Sequence, residues 1–290
     1  MKAAMLIALS VVLSTGRNLF SKNIAGVRFG TKRFFAVQAT IFGVGGGLLL
    51  LQSRLEILDV AGSTCIYAVV YGVMLVAAQW CYTVALSRGK VAICSTIYSM
   101  GFIIPTLYSA TMTGEKLGFC KLIGIALVSI SIVLYNSNGQ EKTRSNNGVS
   151  PIVIIAMCAS GLLGVLQKIQ QTSPWAYQKD EFVCMGFIVA ALISIIASAV
   201  LHGSDCNREE YDIGKSWLYA VGTGACFSGA NTLNTTLAGM ISGAVLFPIL
   251  NIGSILVSML MAAVLLRERL TKKEGLVTLI SILAIVWLNI

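Results

Sequence analysis

The chain has 290 residues, of which 56% are hydrophobic and 11% charged, with a mean hydropathy of +0.82. A water-soluble fold of that composition would expose large apolar patches, so an ordinary soluble domain is excluded. The net charge of +9 comes from basic residues scattered over many short loops, with no stripe interleaved with aromatics, which speaks for positive membrane loops and against nucleic acid.

A spanning helix needs roughly 20 mainly apolar residues. Such runs occur, in chain order, near Ala3 to Ser21, Phe34 to Leu51, Gly62 to Leu86, Val91 to Thr113, Leu117 to Tyr135, Pro151 to Gln171, Phe182 to Leu201, Ile213 to Met240, Ala244 to Leu266 and Gly275 to Ile290. None shows the period-two alternation of barrel strands, and backbone groups in lipid must bond within their own segment, so helices remain. The expectation is an all-α membrane protein with ten transmembrane helices. Lys2 ahead of an apolar run to Leu13 has the look of a signal peptide, but no small-residue cleavage site follows it.

Asn136 to Ser150 (NSNGQEKTRSNNGVS) is the one polar, low-complexity stretch, with the composition of a linker. It divides the chain into residues 1–136, a linker at 137–150, and residues 151–290. Glu115 in IIPTLYSATMTGEKLG and Glu268 in ILVSMLMAAVLLRERL lie 153 positions apart (268 − 115). The same shift carries Ala85 onto Ala238, Leu107 onto Leu260, Ala110 onto Ala263 and Leu117 onto Leu270. Because each half holds an odd number of predicted spans, the two five-helix repeats are expected to be inverted, an arrangement typical of secondary transporters.

With these residues in view, the chain resembles the ten-helix, EamA-like branch of the drug/metabolite transporter superfamily. The likeness covers essentially the whole chain and is clearest at Pro105 to Leu117, with its Gly114-Glu115 pair, at Gly243 to Leu270, and at GRNLFSK from Gly16 to Lys22. Arg267 departs from the family, which often has Gly before the second acid. The resemblance implies a substrate cavity built mainly from the first, third, fourth, sixth, eighth and ninth spans, with the fifth and tenth peripheral, and alternating access by rocking and bending of the halves. It is nearly silent on substrate.

Polar residues that share one face of a membrane helix should line water or protein. The first span carries Ser10, Ser14, Arg17 and Ser21 at i, i+4, i+7 and i+11. The eighth carries Ser228, Asn231, Asn234 and Thr235, and the ninth Asn251, Ser254 and Ser258. Gln79, Trp80 and Tyr82 lie in the third span, and Ser95, Tyr98 and Ser99 in the fourth. The bland reading is that such groups bond across packed helices.

Arg17 stands out, since 15 residues past Lys2 is roughly 22 Å along a helix. A charge at that depth should be paired or face a polar cavity, and the first span holds no acid to neutralise it. Lys168, followed by Gln170 and Gln171, is the counterpart in the sixth span, and inversion would put it toward the opposite mouth; the bland reading of both cations is snorkelling to the membrane interface. The candidate substrate-binding set is therefore Arg17, Ser14, Gln79, Tyr82, Ser95, Tyr98, Lys168, Asn231, Asn234 and Asn251.

All 12 acidic residues fall in loops or at helix ends, which argues against proton-coupled export of cations and favours a neutral, zwitterionic or anionic solute. The eight cysteines contain no C-x-x-C pair and there is a single histidine, His202, so no metal and no cofactor is expected. Neither a phosphate loop nor a hydrolase or metalloprotease motif occurs, and the chain is not expected to be an enzyme.

The expected function is secondary transport of a small polar metabolite, an amino acid or organic anion, across the cell (inner) membrane. The alternative is a non-transporting accessory or sensory subunit of the same fold. The expected partners are the small-molecule substrate and the lipid bilayer, without nucleic acid, in a monomer or homodimer.

Orientation sets two indications against each other. The loops on the amino-terminal side hold Lys2, Arg54, Lys116, Lys121 and Lys179, while most other basic residues lie on the opposite side. The positive-inside rule would therefore put both termini outside, whereas the resemblance implies both inside. Both require the termini to share a side, so tags at the two ends should show equal accessibility in sealed vesicles. Tags reporting opposite sides would break the ten-span architecture.

Overall fold

The computed structural model describes residues 2–25, 31–52, 60–88, 98–112, 118–119, 122–127, 129–130, 151–201, 213–265, 279–280 and 283. Among them there are helices and no strands. The helices are α1 (Lys2–Ala25), α2 (Thr31–Gln52), α3 (Gly62–Arg88), α4 (Ile103–Met112), α5 (Pro151–Thr172), α6 (Lys179–Val200), α7 (Ile213–Met240) and α8 (Gly243–Leu265). Short 3-10 turns at Met100–Phe102 and Ala176–Gln178 lead into α4 and α6.

Among the described residues, five stretches are long and apolar enough to cross a membrane: Lys2–Ser21, Lys32–Gln52, Gly62–Ala85, Pro151–Thr172 and Ala176–Val200. Met100–Met112 and, within the 23-residue α8, Gly243–Ser254 are further apolar stretches. The predicted eighth span coincides with α7 at Ile213–Met240, yet α7 does not reach the apolarity of those five because Ser, Thr, Asn and Gly recur along it. The predicted seventh span begins at Phe182, whereas α6 begins at Lys179. Asp180 and Glu181 occupy its first turn, where the helix dipole favours acids. The linker, about half of the fifth span, most of the tenth, Glu115 and Glu268 lie outside the described residues.

The chain packs as two compact units, one from Met1–Ala77 with Ile169–Thr236 and one from Ala78–Lys168 with Leu237–Ile290. Each draws on both sequence halves.

In the first unit, α1 runs antiparallel to α7. A methyl at Gly16 would lie 3.1 Å from Cys226 Sγ, one at Gly229 3.0 Å from Leu13, and one at Gly222 3.0 Å from Phe20. Antiparallel packing also joins α2 to α6, where Gly45 admits the ring of Phe187 and Ser198 Oγ donates to the Lys32 carbonyl. α3 runs parallel to α6. Ala61 N donates to Gln178 Oε1 at one end, and Gly72 meets Gly186 and Val189 further along. α7 closes on α2 where Gly224 lies against the Ile41 carbonyl. The core between them is aromatic, with Phe42, Phe187 and Phe227 in mutual tilted or edge contact and Tyr71 against Phe182.

In the second unit, small residues bring α4, α5 and α8 together. Gly101 meets the Met157 carbonyl and Gly161, Gly164 meets Pro105 and Phe247, and Gly243 lies against Ser109. Phe102, Phe247 and Ile252 form the buried cluster, flanked by Met100, Ile103, Ile125, Leu127 and Leu256.

Close approach through glycine is the common device, and it separates two otherwise similar substitutions. A methyl at Gly161 would fall 2.6 Å from Ile104 Cδ1 and 2.7 Å from the Gly101 carbonyl, while one at Gly47 meets nothing within 4 Å. Gly161→Ala is expected to destabilise by about 1–3 kcal/mol through overpacking. Gly47→Ala should be neutral or stabilising by up to about 1 kcal/mol. Thermal unfolding in detergent checks both, and equal effects at the two sites would remove steric approach as the cause.

Candidate functional site

α1 presents Ser10, Ser14 and Arg17 on one face, and α7 presents Phe227, Asn231 and Asn234 at the same spacing. Antiparallel packing lays one stripe on the other. Ser10 Oγ donates to Asn234 Oδ1 at 2.5 Å. At the other end of the seam the Arg17 guanidinium carbon sits 4.1 Å from the centroid of the Phe227 ring, within the range of a cation–π contact. Ser14 falls between them, half-buried, level with the turn that carries Asn231.

Asn231 is 6% exposed and bonded at both ends of its amide. Its Oδ1 accepts from the Tyr71 hydroxyl at 2.5 Å, and its Nδ2 donates to the Phe227 carbonyl at 2.8 Å. Ser228 and Thr235, read from the sequence as part of the same stripe, instead bond back to carbonyls of their own helix, Ala225 and Asn231. The first unit therefore brings together four of the candidate residues, Ser14, Arg17, Asn231 and Asn234. Two more belong beside them that the sequence reading passed over, Phe227 and Tyr71.

In the second unit, Tyr82 and Tyr98 stack with ring centroids 4.3 Å apart and planes at 34°. Gln79 is 3% exposed on α3, and its carbonyl accepts from Thr83 Oγ1. Asn251 is half-buried, with Nδ2 donating to the Phe247 carbonyl one turn earlier at 3.0 Å. Ser95 lies outside the described residues.

Lys168, 6% exposed, sends its ammonium to the carbonyls of Ala238 at 3.1 Å and Ile241 at 3.4 Å. Those carbonyls belong to the last turn of α7 and the residue after it, where helix carbonyls lack intrahelical partners and the dipole favours a cation.

Among the described residues, no three His, Cys, Asp or Glu side chains come together as a metal site. Of the acids, only Asp180 and Glu181 are described, and Asp180 pairs with Lys179 at 2.8 Å. Both lie at a helix end, as their sequence context suggests.

No family model matches the chain, and no curated protein does. One solved structure, known only as a crystal structure of a protein, superposes with a TM-score of 0.72 over 99% of this chain and 96% of its own, at 14% identity. That likeness concerns the fold.

Removing the Lys168 ammonium should uncover the end of α7. Lys168→Met is expected to destabilise the protein by about 1.5–3 kcal/mol, the range for hydrogen bonds to charged groups. Lys168→Arg should lose less. An unchanged unfolding temperature for Lys168→Met would show that these bonds contribute nothing to stability.

Proposed function

We propose that the protein is a secondary carrier in the cell (inner) membrane, with ten spanning helices in two inverted five-helix halves. It moves a small polar metabolite, an amino acid or organic anion, by alternating access. The five long apolar helices, the 153-residue internal offset and the resemblance to EamA-like drug/metabolite transporters support this reading. So do Trp175 and Tyr177, an exposed aromatic pair at the mouth of α6, of the kind enriched where helices leave the bilayer.

The observation that carries the proposal is Arg17, half-buried in an α1–α7 seam of serine and asparagine with its guanidinium over Phe227. A guanidinium can receive a carboxylate through two parallel charge-assisted hydrogen bonds, and Ser14 lies one turn away on the same face. A zwitterion or organic anion fits those groups better than a cation does.

The competing reading is a non-transporting subunit of the same fold. It draws on the same seam, because Ser10 with Asn234 and Tyr71 with Asn231 are bonded helix to helix. Solute flux in liposomes holding only this protein separates the two readings.

The substrate class is tested by a thermal-shift screen of the purified protein against amino acids and carboxylates, run in parallel on Arg17 variants. Arg17→Lys keeps the charge but loses the planar fork, so the stabilising compounds should bind about tenfold more weakly, near 1.4 kcal/mol. Arg17→Ala should abolish the shift while leaving the unliganded protein folded. Full binding by Arg17→Ala would overturn the assignment of Arg17 and the preference for an anionic or zwitterionic solute with it.

A further inference from the structure

We propose that Tyr71 and Asn231 are positioning residues that hold Phe227 beneath Arg17, so that a hydroxyl on α3 governs the setting of the solute-binding cation on α1. This rests on the carrier reading for its purpose, but not for its geometry.

Tyr71 is a fixed post. Its side chain is 0% exposed, its ring centroid lies 4.8 Å from that of Phe182, and its edge fills the space that a methyl at Gly186 would occupy, 2.6 Å from Tyr71 Cδ1. A hydroxyl buried this deeply must be bonded, and it donates to Asn231 Oδ1. The other end of that amide donates to the Phe227 carbonyl. Only one orientation of the amide satisfies both contacts, because a main-chain carbonyl can accept but not donate. Asn231 is therefore locked, and what it locks is the turn of α7 that carries Phe227.

The register of α7 needs such a device. Ser228, Asn231, Thr232, Asn234, Thr235 and Thr236 interrupt, over its second half, the apolar face that it buries at Ala220, Phe227, Ala230 and Leu237. A buried polar pair can specify register where apolar packing tolerates sliding. Here the pair lies one helical turn from the aromatic platform, which Phe42 and Phe187 brace from the side at centroid distances of 6.2 and 5.5 Å. With the Tyr71 bond cut, α7 can turn, and the Phe227 ring departs from the guanidinium before any solute contact is touched.

The test reads Arg17 directly. The full chain is labelled with ¹⁵N,¹³C-arginine in detergent, and the Arg17 side-chain signals are assigned by their loss in Arg17→Lys. Phe227→Leu gives the positions without the ring current of Phe227. Tyr71→Phe is expected to move the Arg17 signals most of the way to those positions while helicity by circular dichroism stays unchanged, and Gly47→Ala should not move them. Asn231→Ala should reproduce the effect, and it serves if Tyr71→Phe does not fold.

Arg17 signals unmoved in a folded Tyr71→Phe or Asn231→Ala protein would overturn the proposal. So would signals insensitive to Phe227→Leu, since the platform would then be absent. Millimolar glutamate and succinate, added to the wild-type sample, report on the carrier reading separately. If Tyr71→Phe moves the signals and neither compound does, the positioning role stands and a carboxylate substrate does not.

Discussion

A side-chain amide buried among apolar helices must have both its ends satisfied, and in the first unit that requirement falls on Asn231. Meeting it takes a hydroxyl from α3 and a carbonyl from α7 itself. The neighbours of α7 then follow from where it is held. Gly224 brings it against the α2 backbone, while Gly222 and Gly229 let Phe20 and Leu13 of α1 close upon it. The Ser10–Asn234 bond ends the seam. An amide left unsatisfied in such surroundings would cost about 1–3 kcal/mol, comparable to overpacking one of these glycine contacts. Polar register and steric approach are thus of similar weight.

The second unit solves a similar problem with fewer polar groups. Along α5, Gly161, Gly164 and Lys168 succeed one another on one face. The two glycines admit α4 and α8, and the lysine finishes the face at the end of α7. Small residues provide the dispersion contacts that association in an apolar medium relies on. The charge at the end converts a set of orphan carbonyls into acceptors.

Much of this was legible in the residues and some was not, for physical reasons. The run from Ile213 to Met240 coincided with α7, and the spacing of Ser10, Ser14 and Arg17 marked the face of α1 that meets it, because helical periodicity is what a polar stripe encodes. Phe227 escaped notice although it continues the spacing of Asn231 and Asn234, since an aromatic ring in an apolar helix looks like any other core residue. Tyr71 gave no signal for the same reason. The carbonyl partners of Lys168 gave no signal, because main-chain acceptors leave no trace in side-chain chemistry. Ser228 and Thr235 counted toward a lining stripe, yet each found a carbonyl of its own helix, an option open to any helical Ser or Thr.

The Lys168 contact has a consequence for the order in which the protein is made. Its two acceptors lie 70 and 73 residues further along the chain. At ribosomal rates, roughly 4 to 14 seconds pass between synthesis of the lysine and of the first carbonyl it bonds. Through that interval a chain entering a bilayer cotranslationally must keep the ammonium in water, at the headgroup layer or within the insertion machinery. The ammonium therefore gains these two acceptors only after the end of α7 has been made, and nascent chains halted before Ala238 would hold Lys168 open to aqueous reagents that the finished protein excludes.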